Sequence, residues 1–237
     1  MEVWLLYNSN FWRINKDDLH QIKLCINSGL KGKFTKKFEN KFSKKFKSKY
    51  AIAVNSGTSA LHVALLALDI KKDDEVIVPP LTFIATSFAP LYLGAIPVFA
   101  DIEKDTFNID PEDIKKKITK NTKAIIAVSI YGLPANLIKI KKIARDYNLK
   151  LIEDNAQCIF GKCNDKLAGT FGDISIYSFQ RSKHLTTGDG GMLITNNANY
   201  ATLARKYADL GYKRLTPNSI SNEDLKSIIQ HFSYKRH

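Results

Sequence analysis

The sequence predicts an α/β fold, a mostly parallel central sheet flanked by helices on both faces. Three observations carry this reading. From Lys49 onward, short apolar runs alternate with stretches of helical periodicity. Runs such as EVIVP at Glu75–Pro79 and KAIIAVSI at Lys123–Ile130 are apolar almost throughout, as strands covered on both faces must be. Polar, Gly- and hydroxyl-rich stretches fall where strands give way to loops, and a sheet of this kind binds ligands at the carboxyl ends of its strands.

Met1–Phe11 has no pattern that assigns an element. NKDDLHQIKLCIN, Asn15–Asn27, reads as a helix with Leu19, Ile22 and Ile26 on one face and Asp17 and Asp18 near its start, where the helix dipole favours them. Gly29 and Gly32 interrupt it. KGKFTKKFENKFSKKFKSK, Lys31–Lys49, has phenylalanine at 34, 38, 42 and 46, a spacing of four that marks the apolar stripe of an amphipathic helix. KYAIAVN, Lys49–Asn55, is a short buried strand, and SGTSALHVALLAL, Ser56–Leu68, a hydroxyl-capped helix that buries Leu61, Leu65 and Leu68. The alternation continues with a strand at Glu75–Pro79, a helix over Thr82–Leu93 that Pro90 must kink or end, and a strand at Ile96–Ala100. Pro111–Ile118 is a helix with proline in its first turn, Lys123–Ile130 a strand, Asn136–Tyr147 a helix and Lys150–Glu153 a strand. Strands then dominate, with DISIYSF at Asp173–Phe179 and Met192–Thr195, before a last helix at Asn199–Leu210. The domain reading is an N-terminal helical segment over 1–48, a large domain over 49–215 and a stub over 216–237 that includes a short helix at Glu223–Gln230.

The totals exclude several classes. With 237 residues and 44% hydrophobic content, the chain can build an ordinary globular core. No apolar run approaches the length of a membrane span. The opening MEVWLLYNSNF lacks a basic region and a small-residue cleavage site, so no secretion signal is expected. Cys25, Cys158 and Cys163 lack metal-ligand spacing, so no metal is expected and reduced thiols in a cytoplasm are the default. The net charge of +13 raises nucleic acid or an anionic surface as partners. Yet +8 of it lies in residues 1–50, most of it on the wet side of the phenylalanine stripe. That is a solvated helix face, without an aromatic readout motif or a recognition helix, and neither a nucleic-acid nor a membrane partner is expected.

Chemistry gathers at three strand ends. Asn55-Ser56-Gly57-Thr58 can present free N–H groups and hydroxyls to an anion at a helix N-terminus, or simply cap that helix. In LIEDNAQC, Asp154 follows an apolar strand, where an ionised carboxylate needs a partner. A protonated ring nitrogen would serve, as would a backbone donor or an arginine, and Gln157 could reach the same ligand. In SFQRSKHLTTGDGG, Ser178–Gly191, Ser178 ends a strand and Lys183 sits between hydroxyls and a Gly-rich turn. Lys183 is either one more solvated lysine or an inward-turned amine that is nucleophilic toward carbonyls. Together the three junctions offer an anion grip, a carboxylate and an amine nucleophile. Pyridoxal 5'-phosphate needs this set: a phosphate site, a partner for its pyridinium nitrogen and a Schiff-base lysine.

The segments FTKKFENKF, YAIAVNSGTSALHVALLAL, DEVIVPPLTFIATS, GAIPVFADI, YGLPAN, LIEDNAQ, LAGTFGD and SFQRSKHLTTGDGGMLIT fall in the order found in a known group. Over about residues 30–215 the chain resembles the DegT/DnrJ/EryC1/StrS sugar aminotransferases, within the fold type I pyridoxal-phosphate enzymes. The resemblance implies that Lys183 forms the covalent link to the cofactor and that Asp154 pairs with the pyridinium nitrogen. It implies that Gln157 lies beside the phenolic oxygen and that Gly57, Thr58 and Ser178 hold the phosphate. It places Phe83 against the ring, where the alternative is an ordinary core aromatic. Related sugar dehydratases carry histidine at the lysine position, so Lys183 favours amino transfer.

The implied activity is transamination of a nucleotide-linked keto-sugar, with glutamate as donor, in amino-sugar or surface-polysaccharide biosynthesis. The implied location is the cytoplasm, and the implied assembly a homodimer if a full-length form of the chain exists. There are departures from the group's pattern. Ser129 stands where histidine is frequent, Cys158-Ile159-Phe160 replaces a small residue followed by His-Gly, and His184 replaces asparagine, where it either touches the ligand or caps a loop, the loop being the expectation. The group also continues into a smaller C-terminal domain with an Asn-x-Arg segment, and by this resemblance the sequence, ending at His237, is expected to stop short of it. The alternative expectation is therefore a truncated, catalytically impaired cofactor-binding protein that lacks this domain.

Overall fold

The computed structural model describes residues 16–28 and 32–209. The expected stub over 216–237, its helix at Glu223–Gln230 and the lead-in Met1–Phe11 lie outside the described residues. The first helix, α1 (Lys16–Asn27), has Asp17 and Asp18 in its first turn. Its apolar stripe is uncovered, with Leu19, Ile22 and Ile26 all more than half exposed. Helix α2 (Lys33–Phe46) starts after Gly32, whose φ of 74° is the left-handed region open to glycine.

The remaining elements run β1 (Tyr50–Val54), α3 (Gly57–Ala67), β2 (Glu75–Val78), α4 (Ala85–Leu91), β3 (Ile96–Phe99), α5 (Pro111–Lys117) and β4 (Thr122–Val128). They continue with α6 (Leu137–Asp146), β5 (Lys150–Asp154), a hairpin β6 (Lys162–Cys163) and β7 (Lys166–Leu167), then β8 (Ile174–Ser178), β9 (Gly191–Thr195) and α7 (Ala198–Ala208). The caps follow side-chain chemistry. Ser56, Asp110, Asn136 and Asn197 each accept a backbone N–H at a helix start, and Pro111 occupies the first turn of α5.

Seven strands form one sheet in the order β1-β9-β8-β5-β4-β2-β3. All neighbours are parallel except β9, which runs against both β8 and β1. The sheet is therefore mostly parallel, as expected, with one reversed strand. The reversal has a local cause: β8 and β9 are joined by the loop from Phe179 to Gly190, which contains no crossover helix.

Alternate strand residues feed the two faces. Val76, Val78, Ile126, Val128, Ile152 and Ile176 pack with α3, α4 and α7 on one side. On the other, Ile77, Ile125, Ala127 and Leu151 pack with α5 and α6. Phe42 and Phe46 of α2 cover the β1–β9–β8 end of that second face, against Ala51, Tyr177, Phe179, Met192 and Ile194. The phenylalanine stripe thus packs inward as an aromatic cluster, with Phe42 and Phe46 stacked at 4.7 Å and Phe42 edge-on to Tyr177 at 4.9 Å. Glu39, the one acid within α2, is buried and bridged to Arg205 of α7 at 3.1 Å. It also accepts the Ala53 N–H at 2.9 Å, so α2 is pinned to β1 by polar as well as apolar contacts.

Candidate active site

The strand order decides where the polar groups meet. Strands β1, β5 and β8 run the same way, so Val54, Asp154 and Ser178 finish at one edge of the sheet. Gly191, the first residue of the reversed β9, lies at this edge too, in register with both Val54 and Ser178. At this edge a cavity of about 410 Å³ opens. Its walls hold all seven residues singled out from the sequence: Gly57, Thr58, Phe83, Asp154, Gln157, Ser178 and Lys183. His184 is exposed and does not line it.

The anion end is built by close backbone approach. Ser56 caps α3 by accepting the Ser59 N–H at 3.0 Å, and its hydroxyl also bonds to that of Ser59. Capping therefore occurs, but it leaves the N–H groups of Gly57 and Thr58 without an acceptor among the described residues at the cavity wall. The turn can sit against β8 only because residue 57 is glycine. A Cβ there would come 2.8 Å from the Cβ of Ser178. A Cβ on Gly191 would strike the Ser56 carbonyl in the same way. The two glycines draw the N-terminus of α3 and the end of β8 into one concavity with N–H groups, hydroxyls and the helix dipole around it.

At the cavity floor Asp154 is the last residue of β5, on the sheet face that carries α3 and α4. Its carboxylate is buried and accepts the Ala156 N–H at 3.0 Å and the hydroxyl of Thr86. Burial pushes its pKa up from 3.8 to about 6, against the opposing pull of the Ala156 N–H, the Lys183 amine and Thr86. Desolvation prevails, so this carboxylate is short of positive charge. Thr86, itself buried, lies 2.9 Å from the hydroxyl of Thr82, another wall residue. The Thr82/Thr86 pair was missed in the sequence, although the one-turn spacing of two hydroxyls beside Phe83 is a readable signal.

The neighbouring Glu153 points to the opposite sheet face and has a different task. Its carboxylate accepts the N–H groups of Gly169, Phe171 and Gly172 and the hydroxyl of Ser175, and so fastens the loop before β8. Burial still pushes its pKa up.

The remaining walls are Gln157, Phe83 and the Lys183 loop. Gln157 Oε1 accepts the N–H of Tyr131 at 3.1 Å. Tyr131 has a φ of 53°, an unusual left-handed tyrosine held in part by this bond. Phe83 is 68% exposed at the mouth, which removes the reading of a core aromatic. Lys183 is half-buried, close enough to Asp154 for its charge to oppose the carboxylate's upward shift. Among the described residues it is the only lysine or arginine on the wall. Gln180, Ser182 and Asp189 complete the loop side and were assigned no role from the sequence.

With this geometry established, comparison with known proteins is decisive. The DegT/DnrJ/EryC1/StrS aminotransferase pattern matches residues 13–227. The chain belongs to that family. Its members are pyridoxal-phosphate-dependent aminotransferases. The chain is 48% identical over 167 residues to the GDP-perosamine synthase of Escherichia coli O157:H7, covering 70% of this chain and 46% of that one. The X-ray structure of an aminotransferase from Psychrobacter cryohalolentis matches with a TM-score of 0.84 at 36% identity, over 88% of this chain and 54% of that one. The Bacillus subtilis ntda structure with bound cofactor PMP matches at 0.79 and 33%, over 88% and 49% respectively. The chain thus spans about half the length of the curated relatives it matches.

The residues present fit pyridoxal phosphate on three observations made in this chain alone. A buried carboxylate short of positive charge suits a pyridinium nitrogen. Two open helix-start N–H groups in a glycine-shaped concavity suit a phosphate. A lysine on the shared wall suits the cofactor's carbonyl carbon.

Proposed function

We propose that this chain is the cofactor-binding part of an aminotransferase that moves an amino group from an amino acid, glutamate by preference, to a nucleotide-linked keto-sugar. The observation that carries the proposal is the convergence of Lys183, Asp154 and the Gly57–Thr58 amides on one cavity. Similarity to GDP-perosamine synthase and to a nucleotide-sugar 3-aminotransferase supports the substrate class. It also supports a place in amino-sugar or surface-polysaccharide synthesis. Three free cysteines suit the reducing cytoplasm in which we place the reaction.

When bound, pyridoxal phosphate supplies a carbonyl carbon that condenses with amines and an electron-poor ring that accepts the pair left on a deprotonated carbon. The chain's own residues do the rest. Gly57, Thr58 and Ser178 hold the phosphate. Asp154 keeps the ring nitrogen protonated, and Thr86 and the Ala156 N–H keep that carboxylate oriented. Gln157 faces the phenolic oxygen, with its own amide oxygen occupied by Tyr131. Phe83 covers the ring and excludes water. Lys183 would hold the carbonyl carbon, and its Nζ, when not so engaged, would be the group that takes the proton from the donor's α-carbon and gives one to the sugar carbon.

We place a second copy of this chain at the cavity mouth. Phe83, Ile84, Phe88, Leu91 and Tyr92 expose a run of apolar surface beside it. A nucleotide-linked sugar brings further phosphates, and Lys183 is the only lysine or arginine among the described wall residues to meet them.

The test is spectroscopic. Addition of pyridoxal phosphate should give an imine absorbance that Lys183→Ala abolishes, and glutamate should convert the cofactor to its amine form in a single turnover. Persistence of the imine band in the Lys183→Ala variant would remove Lys183 from its role. Cofactor uptake without conversion by glutamate would support the alternative of an impaired cofactor-binding protein.

A further inference from the structure

We infer that Gln180 is a positioning residue for Lys183, clasping the turn that carries the lysine into the cavity. The inference rests on the reading of Lys183 as the amine that holds the cofactor.

The chain leaves the core at Phe179. This residue is buried and doubly anchored: its N–H donates to the Gly190 carbonyl at 2.8 Å, and its own carbonyl accepts the Thr187 N–H and the Thr186 hydroxyl, both at 3.0 Å. Between these anchors, residues 180–185 form neither helix nor strand, and Arg181, Ser182, His184 and Leu185 are exposed. Core packing therefore does not dictate where residue 183 goes.

Gln180 does. Its side-chain Oε1 accepts the Ser182 N–H at 2.8 Å and the Ser182 hydroxyl at 2.6 Å. Its backbone carbonyl accepts the Lys183 N–H at 2.8 Å. Two oxygens of one residue thus take three donors from the two residues that end the turn. The amide orientation is forced, because a backbone N–H can only donate and the atom facing it must be the oxygen. The Gln180 N–H in turn reaches the Ser178 hydroxyl at 3.4 Å, which ties the turn to the anion concavity. A side chain of the same length without an acceptor would leave Ser182 to water and let the turn open. Loss of two hydrogen bonds of ordinary net strength lowers the closed-to-open ratio by about tenfold. Because the turn is exposed, global stability should scarcely change.

The experiment compares the full chain with Gln180→Met, which keeps length and loses the acceptor, and Gln180→Glu, which keeps the acceptor. Amide hydrogen exchange at Ser182 and Lys183 is read in cofactor-free protein. The rate at which pyridoxal phosphate and borohydride label Lys183 is read by peptide mass mapping. Gln180→Met should exchange faster at both amides and acquire the label more slowly, the two fold-changes multiplying to about ten, with an unchanged melting temperature. Gln180→Glu should keep the protection of the unsubstituted protein. Unchanged exchange and labelling in Gln180→Met, or lost protection in Gln180→Glu, would overturn the inference. Absence of label on Lys183 in the unsubstituted protein would instead count against the proposed function, and the exchange arm alone would then uphold or overturn the clasp.

Discussion

Asp154 couples the proposed cofactor site to pH. In the unfolded chain its carboxyl loses its proton near 3.8, and in the folded protein only near 6. Between these values the folded state binds the extra proton, so folding stability falls as pH rises through that window. The stabilising term is fully present below 3.8, and the charged carboxylate carries its whole desolvation cost above about 6. A shift of this size corresponds to about 3 kcal/mol. Urea denaturation from pH 4 to 7 should therefore show a fall in the unsubstituted protein that Asp154→Asn removes in large part. Equal slopes in the two proteins would contradict the burial argument. Glu153 responds differently, since four donors already satisfy it. Glu153→Ala should destabilise by about 3 kcal/mol or more through orphaned buried N–H groups, measured as a lowered urea midpoint. The sequence alone marked Asp154 as a carboxylate in need of a partner, because an acid ending an apolar strand is conspicuous. It could not distinguish the tasks of 153 and 154, because that depends on which sheet face each side chain meets. Thr86 went unassigned although its one-turn spacing from Thr82 is readable, because its bond to Asp154 joins residues remote in the chain.

At the scale of elements, the site depends on how closely the start of α3 approaches the end of β8. Gly57→Ala forces a Cβ to within 2.8 Å of the Ser178 Cβ, so the turn must move away. Affinity for pyridoxal phosphate should drop at least tenfold, while affinity for pyridoxal, which lacks the phosphate, should change little. An equal loss for both ligands would show that Gly57 does not shape the anion end. Helix α2 supports the site from behind, through Phe42 and Phe46 on Tyr177 and Phe179. Phe42→Ala should lower stability by about 3–5 kcal/mol, whereas Lys41→Gln on the exposed side should leave it within about 0.5 kcal/mol, both measured by urea denaturation. This helix was legible because a spacing of four over four aromatics is strong periodicity. The helix read over Thr82–Leu93 was less so: regular α-helix starts only at Ala85 and carries Pro90 inside. Pro90 is accommodated near the C-terminal end of this short helix. The reversal of β9 was not legible, since an apolar strand of five residues reads the same in either direction.

At the scale of the molecule, one topological feature gathers the chemistry: β1, β5 and β8 end at the same edge, and β9 begins there. Residue 57, residue 154 and the 178–183 stretch are far apart in the chain and meet only because of this order. The meeting was legible because each junction lay between an apolar run and a polar turn. The wall contributed by Gln180, Ser182 and Asp189 was not, because an irregular loop has no period to read. The apolar surface at the mouth predicts self-association. Sedimentation should show a species larger than one chain, and Phe88→Glu, at the exposed face of α4, should shift it toward the monomer. A monomer at all concentrations would remove the second copy from the proposal. The most direct test of the whole account is a crystal structure of the chain soaked with pyridoxal phosphate. Lys183 Nζ should be bonded to the cofactor's carbonyl carbon, with the Asp154 carboxylate on the ring nitrogen and the phosphate on the Gly57 and Thr58 N–H groups. A cofactor bound elsewhere, or a ring nitrogen turned away from Asp154 with Lys183 pointing into solvent, would contradict it.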